Sequence, residues 1–308
     1  MTEWLNKENR RNGVNKSKTP ETLFGGESRE RTCAAVKFAV IGHPVAHSLS
    51  PKMHEANFRA LGIDATYTKF DVLAEDLASF LNERKKEGYC GINVTVPHKQ
   101  TVMQHLDSLD ESAAEYGSCN TVKFMQDGSL RGYNTDIIGF VASLSSHGFT
   151  LRGKRIGIAG CGGAGGAIAL ACVKEGAAET LVAARTRESE SRLIERIRKK
   201  CQAANIARLD LGDTALLRSC DLLVNASPVG LRPDDTSVFP PGSFKRGQFV
   251  LDIIPKRDLP PTAAAAQREG AFAIGGLDFL VAQGAASFEI WTGLKPDIAA
   301  MRQALSIE

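Results

Sequence analysis

From Val36 onward, short apolar runs alternate with longer stretches in which apolar and polar residues are mixed. Short runs bounded by glycine and other turn residues are typical of buried strands, and the mixed stretches are typical of helices. Ser50 followed by Pro51 predicts a helix start with the Ser50 hydroxyl as its cap. In the first half, the pattern predicts strands at 37–42, 66–72, 91–96, 120–124 and 130–133, and helices at 50–61, 74–86 and 99–106. Such alternation predicts a mostly parallel sheet with right-handed crossovers.

A second series of strands and helices begins at Lys154. The pattern predicts strands at 154–160, 180–184, 221–225 and 248–252, and helices ending near 174 and spanning 191–203. We therefore predict an α/β fold with two domains and a cleft between them. Residues 36–145 and 277–308 are predicted to form one domain, and residues 146–276 a second, doubly wound domain. Residues 1–35 are polar and are predicted to be a disordered tail.

The turn after the first strand of the second series carries the pattern Gly160-x-Gly162-x-x-Gly165. A strand precedes it and a helix follows, as a dinucleotide-binding turn requires. The helix would point its free N–H groups at the diphosphate. Residues 146–276 are therefore predicted to be a Rossmann-type NAD(P)-binding domain, and residues 36–145 and 277–308 the substrate-binding catalytic domain. Candidate cofactor-binding residues in the turn are Gly160, Gly162, Gly163, Ala164 and Gly165.

The next strand ends at Ala184 and is followed by Arg185, Thr186 and Arg187. NAD enzymes usually place an acidic residue here to hold the ribose 2′-hydroxyl, and this sequence has none. Two guanidinium groups and a hydroxyl suit a 2′-phosphate instead. The sequence therefore favours NADP, with NAD as the alternative.

Polar residues cluster in four short blocks of the first half, at 48–51, 93–99, 119–121 and 133–136. Ligands of open α/β sheets bind outside the carboxyl ends of the strands, so these blocks are expected to line one cleft. Their hydroxyls and amides suit a small polyhydroxylated acid. Lys99 and Asp136 together suit proton transfer to the oxygen of a carbonyl group that receives a hydride.

Composition excludes several other classes of protein. The net charge is only +3, without a concentrated basic patch, so we expect no nucleic-acid partner. No apolar run approaches the roughly 18 residues of a membrane helix. The seven cysteines include no CxxC pair, which argues against disulfides and structural zinc. The histidines at 43, 47 and 54 are loosely spaced and are expected to be solvated or to cap helices. We therefore predict no metal. We expect a cytoplasmic protein, monomeric or homodimeric.

Several of these blocks together resemble the shikimate dehydrogenase family. The similar segments are residues 42–51, 93–99, 120–121, 134–136, 162–166 and 225–230, with Gly276, Gln283 and residues 291–293. The resemblance covers about residues 36–308 and implies reversible reduction of 3-dehydroshikimate to shikimate with NADPH. It implies that Lys99 and Asp136 are the catalytic pair. By matching positions, it implies substrate contacts from Ser48, Ser50, Asn93, Thr95, Asn120 and Gln283, and cofactor contacts from Asn225, Ala226, Ser227 and Gly276.

The sequence departs from this family at Pro255, where a tyrosine usually helps to hold the substrate carboxylate. Ala184 stands where an asparagine is common. These departures leave open a quinate/shikimate or aminoshikimate dehydrogenase that uses NAD. A non-catalytic ligand sensor with the same fold is a further alternative, although such a protein would be expected to lack Lys99 or Asp136.

Overall fold

The computed structural model of the protein describes residues 35–306. The segment predicted to be disordered, 1–35, lies outside the described residues except for its last position. The described part contains twelve strands and ten α-helices, and the strands form two six-stranded sheets. The predicted α/β fold with two domains is confirmed.

The first sheet contains the strands that precede residue 135. They are β1 (Val36–Gly42), β2 (Ala65–Asp71), β3 (Tyr89–Val94), β4 (Ser108–Leu109), β5 (Thr121–Phe124) and β6 (Leu130–Tyr133). The accompanying α-helices are α1 (Ser50–Ala60), α2 (Leu77–Lys86), α3 (Glu111–Tyr116) and α4 (Asp136–Ser145). Short 3₁₀ segments cover Ala74–Asp76 and Thr101–His105.

The order of strands in this sheet is β2-β1-β3-β5-β6-β4. β1 runs parallel to β2 and β3, whereas β5 runs antiparallel to both β3 and β6. The expectation of a mostly parallel sheet is therefore wrong for β5. A five-residue loop closes β5 onto β6, with the Met125 N–H donating to the Ser129 carbonyl (2.8 Å). A connection this short can only form a hairpin, because parallel strands need a longer crossover.

The second sheet is parallel throughout, with the order β12-β11-β10-β7-β8-β9. Its strands are β7 (Arg155–Ala159), β8 (Glu179–Ala183), β9 (Ile206–Arg208), β10 (Leu222–Asn225), β11 (Phe249–Asp252) and β12 (Phe272–Ile274). The helices between them are α5 (Gly163–Lys174), α6 (Arg187–Lys200), α7 (Thr214–Ser219) and α8 (Pro261–Arg268). The strand order reverses between β7 and β10, which opens a crevice at their carboxyl ends.

The chain then returns to the first sheet through α9 (Gly276–Thr292) and α10 (Ile298–Ala304), as the sequence predicted. Two glycines allow α9 to approach its neighbours closely. A Cβ at Gly139 of α4 would lie 2.8 Å from the Phe279 carbonyl oxygen, and a Cβ at Gly284 would lie 2.2 Å from the Met53 side chain. The last strand of the first sheet, β6, ends at Tyr133, and the strands of the second sheet lie between Arg155 and Ile274.

The structure corrects two predicted helix starts close to the polar blocks. Ser50 is the first residue of α1 and caps nothing; Leu49 occupies the cap position, and the Ser48 hydroxyl accepts from the Ser50 N–H (3.3 Å). No α-helix begins at Lys99, because its carbonyl accepts from the Cys119 N–H (2.7 Å) across the fold. The chain there forms a turn followed by the 3₁₀ segment.

No helix within residues 35–306 is both long enough and apolar enough to span a membrane. Among the same residues, no group of three or more His, Cys, Asp and Glu side chains is arranged to hold a metal ion.

Candidate active site

The polar blocks meet at one edge of the first sheet, even though that sheet is mixed. β1, β3 and β6 end at this edge, and β5, which runs in the opposite direction, begins there. The segments after β1, β3 and β6 and the residue before β5 are therefore neighbours. This topology brings together the candidate residues from widely separated parts of the sequence.

An ion pair between Lys99 and Asp136 lies at the centre of this edge. The Lys99 Nζ is 2.7 Å from Asp136 Oδ2 and 3.0 Å from Oδ1. The Asp136 side chain is 1% exposed and that of Lys99 is 14% exposed. Asp136 is the first residue of α4, where the positive end of the helix dipole favours its negative charge. The pair is thus shielded from bulk water, with the ammonium group on the more open side.

Asn120 and Gln283 complete the surroundings of the carboxylate. The Asn120 Nδ2 donates to Asp136 Oδ1 (2.8 Å) and to Gln283 Oε1 (3.3 Å). The backbone N–H of Thr135 donates to Asn120 Oδ1 (2.8 Å), which fixes the orientation of the amide. Gln283 comes from α9, so the return of the chain to the first domain supplies one side of the site.

Asn93 lies deeper, within β3, and is 6% exposed. Its Nδ2 donates to the Asn120 carbonyl (3.1 Å), and also to the Ser287 hydroxyl of α9 (3.0 Å). Its Oδ1 accepts from the Tyr67 hydroxyl (2.7 Å), which also forms a hydrogen bond with the Ser50 side chain. Burial raises the pKa of Tyr67 well above its usual value, so this residue remains a neutral donor.

Ser48 and Thr95 occupy the outer part of the same edge. Both are half-buried, and Ser48 lies two residues before the start of α1. Thr95 is fixed through its backbone, because its N–H donates to the Ile41 carbonyl (2.8 Å) and its own carbonyl accepts from the His98 N–H (2.9 Å). The structure therefore places all eight predicted catalytic and substrate-binding residues around one region.

The glycine turn after β7 has the geometry that a dinucleotide requires. Gly160 has a φ of +118°, and a Cβ at Gly165 would lie 2.0 Å from the Gly160 carbonyl oxygen, so both positions exclude a side chain. None of the described residues comes within 4 Å of the place where a Cβ at Gly162 would lie. The N-terminus of α5 is therefore open to an approaching diphosphate. Burial raises the pKa of the intervening Cys161 to about 12, so this residue remains a neutral thiol.

A second part of the crevice follows β10. Asn225 Oδ1 accepts from both the N–H (3.1 Å) and the hydroxyl (2.7 Å) of Ser227, which fixes the turn. Its Nδ2 donates to Asp252 Oδ1 (3.0 Å) at the end of β11. Asp252 is fully buried, and this burial raises the pKa of its carboxyl group to about 6. Asn225, Ala226 and Ser227 thus lie beside the glycine turn, where a Cβ at Gly160 would come within 2.6 Å of Ala226.

Gly276 closes the crevice on the side of β11. A Cβ at this position would lie 2.5 Å from the carbonyl oxygens of Ile253 and Ile254. The first turn of α9 can therefore approach the loop after β11 only because residue 276 has no side chain.

The end of β8 is followed directly by two cationic side chains. Arg185, Thr186 and Arg187 are exposed, and within residues 35–306 neither guanidinium group has an ion-pair partner. Thr186 caps α6 by accepting from the Ser189 N–H (3.3 Å), which explains why the helix begins four residues earlier than predicted. The nearby Glu190 side chain is 5% exposed; it accepts from the Ala184 N–H (3.0 Å) and pairs with Arg208. Its carboxylate is therefore already bound and does not face a ribose.

The two domains are in contact between the glycine turn and the ion pair. A Cβ at Gly163 would lie 2.8 Å from the Lys99 Cβ and 2.9 Å from the Ser118 hydroxyl. The start of α5 is thus in contact with the backbone segment that carries Lys99. A ligand bound at the glycine turn would extend toward the Lys99–Asp136 pair.

Sequence reasoning missed Tyr67 and Ser287 as members of the polar network, and Ser287 lies one helical turn after Gln283. Thr121 and Thr135 lie within the recognised blocks at 119–121 and 133–136, but the sequence assigned them no role of their own. Tyr67 had no local signal, because only the pairing of β2 with β1 brings it to Ser50 and Asn93. The expectation that His54 is solvated or capping is wrong, since it is fully buried and stacked on the Tyr67 ring (4.5 Å between centroids).

A cleft with a dinucleotide turn on one wall and an ammonium–carboxylate pair on the other defines a two-domain nicotinamide-dependent dehydrogenase. The family model for the shikimate dehydrogenase substrate binding domain matches residues 40–122, and that for the shikimate 5′-dehydrogenase C-terminal domain matches residues 276–305. A curated relative from Moorella thermoacetica, shikimate dehydrogenase (NADP(+)), is 40% identical over 270 residues, covering 87% of this chain and 91% of the relative. The chain belongs to the shikimate dehydrogenase family, and the resemblance seen in the sequence is confirmed.

Solved structures show the same similarity. The shikimate 5-dehydrogenase from Thermus thermophilus, in complex with NADP(H) and shikimate, is 36% identical with a TM-score of 0.77, covering 88% of this chain and 98% of that chain. The quinate dehydrogenase from Corynebacterium glutamicum, in complex with NAD, is 27% identical with a TM-score of 0.79, covering 88% of this chain and 99% of that chain. The fold is therefore shared by family members with different substrates and cofactors.

Proposed function

We propose that this protein catalyses the reversible, NADPH-dependent reduction of 3-dehydroshikimate to shikimate. The observation that carries the proposal is the shielded Lys99–Asp136 pair in direct contact with the start of the dinucleotide turn. The curated relatives of about 40% identity are named for this activity with NADP. Bound nicotinamide would supply or accept the hydride.

In this mechanism, Lys99 and Asp136 move the proton. During reduction, the Lys99 ammonium donates a proton to the substrate carbonyl oxygen as the carbonyl carbon gains the hydride, and the resulting amine is re-protonated from solvent. Asp136 holds the Lys99 Nζ in place through both carboxylate oxygens, and Asn120 holds Asp136. In the oxidative direction Lys99 first loses a proton to solvent, and the neutral amine then accepts the proton of the substrate hydroxyl.

The polar network supports recognition of a ring that carries several hydroxyl groups. Asn93, Asn120 and Gln283 offer amide groups, and Thr95 offers a hydroxyl group, along one side of the cleft. Ser48 and Ser50 at the start of α1 are proposed to bind the carboxylate. NADP is favoured because Arg185 and Arg187 are available for a 2′-phosphate, whereas Glu190 is bound to Ala184 and Arg208. The cytoplasmic location and the monomeric or homodimeric state stay predictions.

A quinate-oxidising, NAD-dependent enzyme is the second candidate. Pro255, after β11, offers no side-chain hydroxyl to the carboxylate. A ligand sensor is disfavoured, because such a protein has no need of a paired lysine and carboxylate at the dinucleotide turn.

The test is the rate of reduced-nucleotide formation with shikimate and quinate, each with NADP⁺ and NAD⁺. We expect kcat/KM to be highest for shikimate with NADP⁺, at least about ten-fold above the value for any other combination of substrate and nucleotide. A polar contact that is lost or gained changes the ratio of kcat/KM between two substrates by at least this factor. Turnover confined to quinate or to NAD⁺ would reassign the protein to the second candidate. Nucleotide binding without turnover of either substrate would contradict an enzymatic role in this chemistry.

A further inference from the structure

The carboxyl ends of β10 and β11 are joined by a buried carboxylate that the proposed mechanism does not use. Asp252, the last residue of β11, is fully buried. Its Oδ1 accepts from Asn225 Nδ2 (3.0 Å), at the end of β10, and also from the Ile254 N–H (3.1 Å), two residues further along the chain. A single oxygen atom therefore holds the loop after β11 against the end of β10.

The same oxygen fixes the loop after β10 through the Asn225 side chain. Asn225 Oδ1 accepts from the N–H (3.1 Å) and the hydroxyl (2.7 Å) of Ser227, and its Nδ2 also donates to the Val229 carbonyl (2.8 Å). An ionised carboxylate can only accept, so Asp252 selects the amide orientation in which Nδ2 faces β11 and Oδ1 faces Ser227. The path of residues 225–229 thus depends on the acceptor that Asp252 supplies.

Both loops lie on the side of the crevice away from the arginines that follow β8. The strand order in this part of the sheet is β11-β10-β7-β8, so the glycine turn after β7 lies between β10 and the strand that precedes Arg185. A dinucleotide held by its 2′-phosphate after β8 and by its diphosphate at the glycine turn would extend its nicotinamide half over β10 and β11. The loop after β11 also packs against the start of α9, since a Cβ at Gly276 would lie 2.5 Å from the carbonyl oxygens of Ile253 and Ile254.

We propose that Asp252 is a positioning residue for the nicotinamide half of the cofactor, because its Oδ1 aligns the two loops over which that half would lie. This inference rests on the proposed function and goes beyond it by naming what shapes this part of the crevice. Burial raises the pKa of the Asp252 carboxyl group to about 6 and so opposes its negative charge. The useful part of the side chain is therefore the acceptor atom, and an amide oxygen in the same place should serve as well.

The experiment measures two dissociation constants by calorimetric titration, one for NADPH and one for adenosine 2′,5′-bisphosphate, which lacks the nicotinamide half. Asp252→Ala removes the acceptor, and Asp252→Asn keeps an oxygen at the position of Oδ1. The matched control is Asp221→Ala, which removes a carboxylate at the opposite end of β10 that also accepts from the N–H of a neighbouring strand, that of Arg155 (2.9 Å).

We expect Asp252→Ala to weaken NADPH binding roughly ten-fold, as loss of a hydrogen bond to a carboxylate does, while the bisphosphate binds as it does to the wild type. Asp252→Asn should bind both ligands like the wild type, and so should Asp221→Ala. If Asp252→Ala does not fold, Asn225→Ala breaks the same link from the side of β10 and should show the same selective loss of NADPH binding.

The outcomes separate the positioning role from a general role in folding and from the proposed function. Equal weakening of both ligands, or unchanged binding of NADPH, would overturn the positioning role of Asp252. Weak NADPH binding in Asp252→Asn would overturn the assignment of that role to the acceptor atom. If the wild-type protein binds NADPH but oxidises no shikimate, the proposed function fails, whereas a selective loss of NADPH binding in Asp252→Ala would still support the positioning role.

Discussion

The position of Lys99 depends on a residue in the other domain that has no side chain. The Lys99 Cβ and the Ser118 hydroxyl occupy the space into which a side chain at Gly163 would project. The Lys99 backbone is held by the Cys119 N–H and cannot move away without loss of that hydrogen bond. The ammonium group is thus positioned both by its carboxylate partner and by close packing between the domains.

We expect Gly163→Ala to lower kcat about ten-fold, because a displacement of a catalytic group by up to about 1 Å reduces the rate by this factor or more. The dissociation constant of NADPH, measured by fluorescence titration, should change less than kcat. Urea denaturation of the same variant is the control for folding, because its new methyl group meets the tightly packed Lys99 and Ser118 side chains. An unchanged kcat in Gly163→Ala would show that Lys99 is not positioned by this contact.

Tyr67→Phe tests the buried network beneath the substrate. The variant removes the hydroxyl that donates to Asn93 Oδ1 and leaves that buried acceptor without this donor. We expect a loss of about 1 kcal/mol in the free energy of unfolding, measured by urea denaturation, and a higher KM for shikimate with little change in kcat. A drop in kcat with KM unchanged would place Tyr67 in the chemical step instead.

At the scale of helices and strands, most elements followed from the hydrophobic pattern, but the direction of β5 did not. The apolar runs gave β5 and β6 to within a residue, yet a short run does not encode whether its neighbour is parallel. The loop at 125–129 is too short for a parallel crossover, and its length therefore makes β5 and β6 antiparallel. Similarly, the polar residues at Lys99 and Asp136 were visible as blocks, whereas Tyr67 and Glu190 were missed, because their partners are supplied by strand pairing and helix packing.

Helix α1 carries a buried histidine whose protonation opposes folding. Burial lowers the pKa of His54 from 6.5 to about 3, and neither ring nitrogen has a hydrogen-bond partner among the described residues. Below pH 6.5 the unfolded chain binds a proton that the folded chain does not, so stability falls as the pH decreases from 6.5 toward 3. At pH 5 this group alone costs about 2 kcal/mol relative to pH 7.5.

We therefore expect His54→Leu to lose less stability than the wild type between pH 7.5 and pH 5. The free energy of unfolding from urea denaturation at both pH values measures this difference. A leucine side chain should fit at this position without leaving a polar group unpaired, because the neighbouring side chains are the aromatic rings of Phe58, Tyr67 and Trp291. Equal pH dependence in the two proteins would mean that His54 is not buried in its neutral form.

At the scale of the whole molecule, the two domains meet at a cleft whose walls are joined beside the site. Lys174 of α5 pairs with Glu115 of α3, and the Arg196 guanidinium lies 2.9 Å from the place of a Cβ at Gly117. These contacts connect the nucleotide-binding domain to the segment just before Asn120. Cofactor binding at the crevice should therefore stabilise the entire protein.

We expect NADPH to raise the melting temperature more than NADH does at the same concentration. A ligand at 100 times its dissociation constant adds about 2.7 kcal/mol, and the weaker ligand adds less. Arg185→Ala should reduce the difference between the two nucleotides, whereas Arg192→Ala, on the following turn of α6, should leave it unchanged. Equal stabilisation of the wild type by NADH and NADPH would contradict the assignment of Arg185 and Arg187 to a 2′-phosphate.

The most direct test of the account is the rate of shikimate oxidation by NADP⁺ in Lys99→Met, with binding of shikimate and NADPH measured on the same sample. We expect kcat to fall at least about 100-fold, as loss of a general acid–base group does, while both dissociation constants stay within a few-fold of the wild type. If Lys99→Met oxidised shikimate at the wild-type rate, the central claim that the Lys99–Asp136 pair transfers the proton would be contradicted.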